Sequence, residues 1–306
     1  MRDLDLLVVG DCNPDLVMAG RRVRPEFGQG ETWVEHAAIV IGGTSSITAC
    51  GGARLGLRTA MAGVVGDDLF GRFMLAELAA LGVDTGPSRV DPACPTGVSA
   101  VLVEPGDRAT LTFRGTIGGL RAEMIPDDLL ARARHVHTGG WFLQGAAPVL
   151  ADILRRARAA GATTSLDPGA DPDGTWDGGL AELYPQIDHL MPNAAEALAL
   201  TGRADVAEAA RMLAAGGAGA VVVKCGREGV LAVVDGALVT APALTVEVCD
   251  TIGAGDSTNA GWLAGVLNGW PAGRCAALAA ACGSLSTRAR GGTAGQPTLA
   301  EAIAAL

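Results

Sequence analysis

The sequence predicts an α/β fold: a mostly parallel sheet covered by helices on both faces, with a second, smaller β-sheet standing apart from it. Three observations carry this prediction. Short apolar runs bounded by Gly and other turn residues alternate with longer helix-patterned stretches, the order that a parallel sheet with helical crossovers requires. Residues 4–10 (LDLLVVG) and 220–224 (AVVVK) are apolar almost throughout, as strands buried on both faces are. Between residues 15 and 115 lie short, partly polar strand-like pieces that do not fit such a core and suit a small half-exposed sheet instead.

The elements follow in order. The first strand, residues 4–10, ends at Gly10. Residues 15–41 mix turn residues (Pro25, Gly28, Gly30) with two strand-like pieces, 16–19 and 33–41. Residues 96–103 and 109–113 read as a hairpin across Glu104-Pro105-Gly106-Asp107. The segments 15–41 and 96–115 thus supply the small sheet, expected to act as a lid. Residues 44–55 have helical composition, with Gly56 as the stop. A strand at 60–65 precedes a helix at 70–80 closed by Gly82. The alternation then repeats: strand 135–138 and helix 147–160, strand 163–167, strand 189–191 and helix 194–200, helix 206–215, strand 220–224. A hairpin of 230–234 and 237–240 turns at Asp235-Gly236, residues 244–248 look strand-like, and helices at 255–268 and 271–288 close the chain. No linker and no internal repeat interrupts this order, so residues 1–306 are expected to form a single domain.

Composition narrows the function. Apolar residues make up 49% of the chain and charged ones 18%, which predicts a packed core and excludes a disordered chain. The net charge is −10, and the richest basic stretch is Arg21-Arg22-Val23-Arg24. That is too short for a nucleic-acid footprint and reads as a solvated loop. The seven cysteines show no CxxC spacing, so they read as small apolar residues in a reducing compartment. No signal peptide and no run of ~20 apolar residues is visible, which predicts a cytoplasmic chain without a membrane partner. Lys224 is the only lysine.

The sharpest local motif is Asp250-Thr251-Ile252-Gly253-Ala254-Gly255-Asp256-Ser257, which opens an apolar helix. Glycines on either side of Ala254 let a ligand approach the backbone closely. Successive N–H groups at a helix start form an anion hole. Asp256 in the first turn would face a bound phosphate and could take the proton of an attacking hydroxyl. An aspartate there also complements the helix dipole, and the local residues leave both roles open. The chain has no GxxxxGK[ST], which excludes a P-loop kinase. It also lacks a GxGxxG after the first strand, which argues against a dinucleotide oxidoreductase.

Residues 250–261 (DTIGAGDSTNAG) resemble the C-terminal signature of the ribokinase-like, or PfkB, carbohydrate kinases, and residues 42–71 resemble their N-terminal signature. Residues 193–196 (NAAE) resemble the family's NxxE motif, and residues 224–229 (KCGREG) its nucleotide-loop segment. Four motifs in the right order span nearly the whole chain. The resemblance implies a ribokinase-like three-layer α/β/α fold and an ATP-dependent kinase of a sugar, sugar acid or related polyol. It implies Asp256 as catalytic base and Gly253, Ala254 and Gly255 as the anion hole. It places Asn193 and Glu196 near the triphosphate and Mg²⁺, Glu196 acting on the metal through water. Asn193 would serve equally as a helix N-cap. Lys224, Gly226 and Gly229 fall in the nucleotide loop, where Lys224 either contacts phosphate as a point charge or is a strand-end surface lysine. Ser284 and Gly292 fall where the family lines its adenine pocket. Asn13, Asp15, Gly42 and Gly43 fall at the sugar-contact positions, although Asn13-Pro14-Asp15 alone would read as a plain turn. Trp141 and Phe142 either wall the pocket or belong to the core. Asp250 and the Ile252 carbonyl are the positions for a monovalent cation, K⁺, and the lid pairs subunits into dimers in some relatives.

Two positions depart from the pattern. Ile47 stands where the first signature carries Asn, which puts the acceptor's identity in question. Thr258 stands for Phe, a change expected to concern packing. A nucleoside kinase on the same fold is the alternative enzyme, and the aromatic content of 4% weighs against it. A non-catalytic sugar-binding protein would be expected to have lost the base or the glycine turn, and both are present.

Overall fold

The structure, a computed structural model, describes residues 2–144 and 147–306. Its strands are β1 (Leu4–Val9), β2 (Pro14–Ala19), β3 (His36–Ile41), β4 (Thr59–Ala62), β5 (Val64–Gly66), β6 (Arg89–Asp91), β7 (Val98–Glu104), β8 (Asp107–Phe113), β9 (Ala133–Gly139), β10 (Thr163–Asp167), β11 (His189–Leu190), β12 (Ala220–Lys224), β13 (Val230–Val234) and β14 (Ala237–Ala241). The main sheet has the order β14-β13-β12-β11-β10-β9-β1-β4. The pairings β12–β13 and β13–β14 are antiparallel and the others parallel.

Strand β1 shows why helices cover both faces. Leu7 and Val9 join one apolar cluster, with Leu150, Ile153 and Leu154 of the helix Ala147–Ala159. Leu6 and Val8 join another, with Trp262 and Leu263 of the helix Ala254–Leu267 and Leu278 of the helix Ala272–Ser286. Strand side chains alternate between faces, so a run with no polar alternate is stable only when both faces are covered. Each such aliphatic side chain contributes ~1.5–3 kcal/mol when fully buried.

The small sheet has the order β3-β2-β7-β8, with β2 and β7 parallel and the outer pairs antiparallel. Val17 and Val101 are buried against Ile252, with Val40 and Val103 packed on them, so one face of this sheet rests on the segment that precedes the glycine turn. Strand β8 is exposed throughout. Arg21, Arg22 and Arg24 pair with Glu35, Glu26 and Glu104 at the surface.

Three expectations are corrected. Residues 244–248 are an irregular segment, not a strand. Leu244 N donates to Ser284 Oγ (3.0 Å), and Cys249 N donates to Thr287 O (2.8 Å), so the segment is bonded to a helix instead of a sheet edge. The strand expected at 60–65 breaks at Gly63, where a Cβ would lie 2.7 Å from Cys12 Cβ. Beyond the break, β5 leaves the main sheet to pair with β6. A third closing helix, Leu299–Ala304, follows the expected two, started by a reciprocal capping box between Thr298 and Glu301.

Candidate active site

The turn before the helix Ala254–Leu267 is built from close backbone approaches. Gly253 is its N-cap, with φ at 73°. A Cβ on Gly253 would lie 2.6 Å from Gly292 Cα and 3.0 Å from Ile47 Cγ2. Glycine is therefore required there both for conformation and for space. Ser257 N closes the first helical bond to Gly253 O (2.9 Å) and Ala254 N makes a long one to Thr251 O (3.3 Å). The N–H groups of the first turn have no acceptor within the helix; apart from the long bond of Ala254 N to Thr251 O, they are open to an anion.

Asp256, in that first turn, is half-buried. Burial pushes its carboxyl well above the usual range, and the negative charges of Asp167, Asp11 and Glu196 push the same way, against the opposing charge of Lys224. Lys224, at the end of β12, is not a surface lysine. Its side chain is 10% exposed and its ammonium pairs with Asp167, whose side chain is 3% exposed, at the end of β10. Burial works to lower the ammonium's pKa, but Asp167, Glu196 and Asp256 outweigh it and hold the pKa above its ordinary value. A Cβ built on Gly255 would lie 3.7 Å from Lys224 Nζ, so the ammonium sits against the turn. Asn259, one helical turn beyond Asp256, donates from Nδ2 to the same Asp167 oxygen (2.6 Å).

Asn193 and Glu196 form a capping box at the start of the helix Ala194–Thr201. Glu196 N donates to Asn193 Oδ1 (2.9 Å), and Asn193 N and Nδ2 donate back to the two Glu196 oxygens (2.8 and 2.6 Å). The Glu196 carboxyl is pushed up to about 7 by burial and by Asp167, with Lys224 opposing. A carboxylate crowded by like charge is relieved by a cation, so the donor set suits one. Among the described residues, however, no group of three or more His, Cys, Asp or Glu could hold a metal ion by itself. Mg²⁺ keeps several waters and takes phosphate oxygens, so a single carboxylate such as Glu196 is compatible with it.

The β1–β2 loop forms the other end of the site. Asn13 is buried, and its carbonyl accepts from Gly42 N (3.1 Å). A Cβ on Gly42 would lie 2.3 Å from Asp15 Oδ1, and one on Gly43 would lie 2.8 Å from Asp11 Oδ2, so both carboxylates lie against the glycine pair. Asp11 accepts from Ser45 N (3.0 Å). Burial pushes Asp15 up to about 7, helped by the charge of Asp11 and opposed by Arg108. Ile47 is 3% exposed and packs on Gly253 and Gly292.

Asp250 is fixed by two bonds, from Ile252 N to Oδ1 (3.0 Å) and from Gly291 N to Oδ2 (2.9 Å). Gly226 and Gly229 flank a single 3-10 turn after β12, both at positive φ. Space beside Gly226 is open, whereas Gly229 is pressed on Ala241 O. The Ser284 hydroxyl bonds Ala280 O (2.7 Å) and Leu244 N, and so tethers the segment that leads to the turn. Trp141 is buried in the core, and Phe142 meets Trp176 edge-on at 5.4 Å, so both belong to packing. Thr258 donates to Ala254 O (2.8 Å) and lies against Gly283.

Residues 3–299 match the model of the pfkB family carbohydrate kinases. The chain belongs to this family. It is 31% identical over 278 residues to 2-dehydro-3-deoxygluconokinase of Bacillus subtilis, covering 84% of each chain. It is likewise 31% identical over 272 residues to fructokinase of Klebsiella pneumoniae, covering 84% of this chain and 88% of that one. Arabidopsis thaliana ribokinase complexed with ribose and ATP superposes with a TM-score of 0.86 at 24% identity, covering 98% of both chains, which shows the shared fold. The chain is thus a pfkB carbohydrate kinase with a ribokinase-like fold.

Within this kinase, Asp11, Asp167 and Asn259 stand in the site without having been singled out in the sequence. Asp11 follows β1 and Asp167 ends β10, outside the carboxyl ends of parallel strands, where ligands of open α/β sheets bind. That rule is the signal that could have found the two aspartates. Asn259 follows Asp256 by three residues and so shares its helix face.

Proposed function

We propose that this kinase transfers the γ-phosphoryl group of ATP to a hydroxyl of a small sugar, sugar acid or related polyol, with Asp256 as general base. The observation that carries the reading is the placement of Asp256, the N–H groups of the Gly253–Gly255 turn and the Lys224 ammonium together at the start of one helix. In the step, the acceptor oxygen bonds to the γ-phosphorus and its proton passes to the Asp256 carboxylate. The bond between that phosphorus and the β–γ bridging oxygen breaks, and ADP leaves with the electron pair. A raised carboxyl pKa suits this task, because it makes the carboxylate a stronger proton acceptor. The N–H groups of Gly253, Ala254 and Gly255 stabilise charge on the transferring group without reorganising.

Lys224, Gly226 and Gly229 are assigned to the nucleotide, with Ser284 and Gly292 at its adenine end and Asn193 and Glu196 beside its phosphates. Mg²⁺ supplies neutralisation of phosphate charge, with Glu196 facing it through water. The rigidly held Asp250 and the Ile252 carbonyl are assigned to K⁺. Asn13, Asp15 and the backbone of Gly42 and Gly43 are assigned to the acceptor, since such groups can bond neighbouring hydroxyls. The small sheet is assigned the role of a lid that excludes water, and its exposed apolar side chains Leu111 and Phe113 support pairing of two lids in a homodimer. All seven cysteines are free, in keeping with a cytoplasmic enzyme.

The test is ATP consumption, with Mg²⁺ and K⁺, against pentoses, hexoses, sugar acids, sugar phosphates and nucleosides. Turnover with a sugar, sugar acid or polyol is the expected result. Turnover confined to nucleosides would move the acceptor class, and folded protein that binds no ATP would sink the reading.

A further inference from the structure

Asp167 has no part in the reaction as described, yet it ties together three elements of the site. Its carboxylate ends β10, pairs with the Lys224 ammonium at the end of β12, and accepts from Asn259 on the helix that carries Asp256. A third bond reaches its other oxygen from Gly169 N (3.2 Å). Neither Asp167 nor Asn259 is open to solvent, so the contacts are not those of a surface pair. The only hydrogen-bond partner of Lys224 Nζ among the described residues is Asp167.

We propose that Asp167 is a positioning residue for phosphoryl transfer: it clamps Lys224 against the Gly255 turn, so that the chain's only ammonium lies beside the base and the anion hole at a fixed place. This inference rests on the phosphoryl-transfer reading of the site. A lysine side chain is long and rotatable, and without a partner it would follow the phosphates of whichever nucleotide is bound. Held by Asp167, it stays where charge develops in the transition state, which is the condition for preorganised stabilisation. Asn259 in turn holds the carboxylate toward the base helix. Paired with Lys224, Asp167 stays ionised. Burial would raise its pKa, but Lys224 (by charge and hydrogen bond), Asn259 and His137 together keep it below the ordinary value.

The charged groups facing Asp256 are Asp167, Lys224, Asp11 and Glu196. Two of them belong to the clamp and have opposite signs, which gives a test that a purely structural pair would not pass. The variants are Asp167→Asn, Lys224→Met and the double variant Asp167→Asn/Lys224→Met. The double variant removes both partners of the buried ion pair, so neither is left without the other, and it guards against a failure to fold. The readout is kcat/KM for the acceptor from pH 5 to 9 at saturating Mg-ATP, with KM for ATP measured alongside.

Asp167→Asn should lower kcat by ~10²-fold, the scale of a misplaced catalytic group, with little change in KM for ATP, and should shift the acid limb to lower pH. Lys224→Met should shift that limb to higher pH. The double variant should lose no more activity than Lys224→Met alone, because the carboxylate acts through the lysine. Acid limbs at one common pH, or a double variant whose losses multiply, would overturn the clamp while leaving the kinase reading in place. Wild-type protein that consumes no ATP with any acceptor would overturn both.

Discussion

The two ends of the site are built on opposite plans. At the phosphate end Gly253 is pressed on the Gly292 backbone, the Lys224 side chain lies beside Gly255, and one buried ion pair supplies the charge. At the acceptor end two carboxylates, Asp11 and Asp15, lie against a glycine pair, and Asp15 is poised to titrate near neutrality. Phosphate is the same group for every relative, so a rigid cradle serves all of them. Acceptors differ, and the acceptor end is where an amide position of the family signature is occupied by Ile47. Ile47 also joins the two ends, because it packs beneath the turn. On the proposed reading, the fixed end carries the chemistry and the variable end carries the choice of substrate.

The sharpest way to break the fixed end is Gly253→Ala. The added methyl meets Gly292 and forces a positive φ on an L residue. Loss of ~10²-fold or more in kcat is expected, the scale of removing an anion-hole donor, with ~1–3 kcal/mol of lost stability, read by steady-state kinetics and denaturant unfolding. A smaller effect is expected at the variable end. Asp15→Asn should raise KM for the acceptor by ~10-fold, as for loss of a charged hydrogen bond, and leave KM for ATP alone. If ionised Asp15 reads the acceptor hydroxyls, acceptor KM in the wild type falls as pH rises through about 7, and the variant shows no such dependence. Ile47→Asn tests the join. Buried against Gly253 and Gly292, the amide should cost ~1–3 kcal/mol if unpaired, and a changed ranking of acceptors is expected in the same panel assay.

The smallest effect is one of stability. In the protein without ligands, the raised Asp256 carboxyl binds its proton more tightly in the folded chain than in the unfolded one. The contribution of Asp256 to stability is then greatest below the unfolded carboxyl pKa, ~3.9, and is lost as pH rises through the folded value. Asn does not titrate. The melting temperature of Asp256→Asn should match the wild type in acid and exceed it at neutral pH, as read by a pH series of thermal melts.

The same contrast governs what the sequence disclosed. Strand and helix alternation was legible because β12 and most of β1 are apolar and buried on both faces, although β10, Thr163–Asp167, is buried with mostly polar side chains. The phosphate end was legible because a tight turn and a helix start are made from neighbours in sequence, Gly253 through Asp256. The acceptor end and the clamp are assembled from single residues at the ends of different strands. Asp11 and Asp167 have no local pattern, and their importance arises only when the parallel sheet brings the carboxyl ends of β1, β10 and β12 to one edge. Residues 244–248 misled because their apolar alternation packs against helices, while Leu244 N bonds Ser284 Oγ and the following Cys249 N bonds Thr287 O, not a neighbouring strand.

On the proposed reading, Asp256 takes the acceptor's proton. The most direct measurement is single-turnover phosphoryl transfer by Asp256→Asn, with ATP affinity determined by calorimetry on the same protein. A rate lowered by ~10²-fold or more with ATP affinity essentially unchanged is the predicted result. A variant that transfers the phosphoryl group at the wild-type rate would contradict the account.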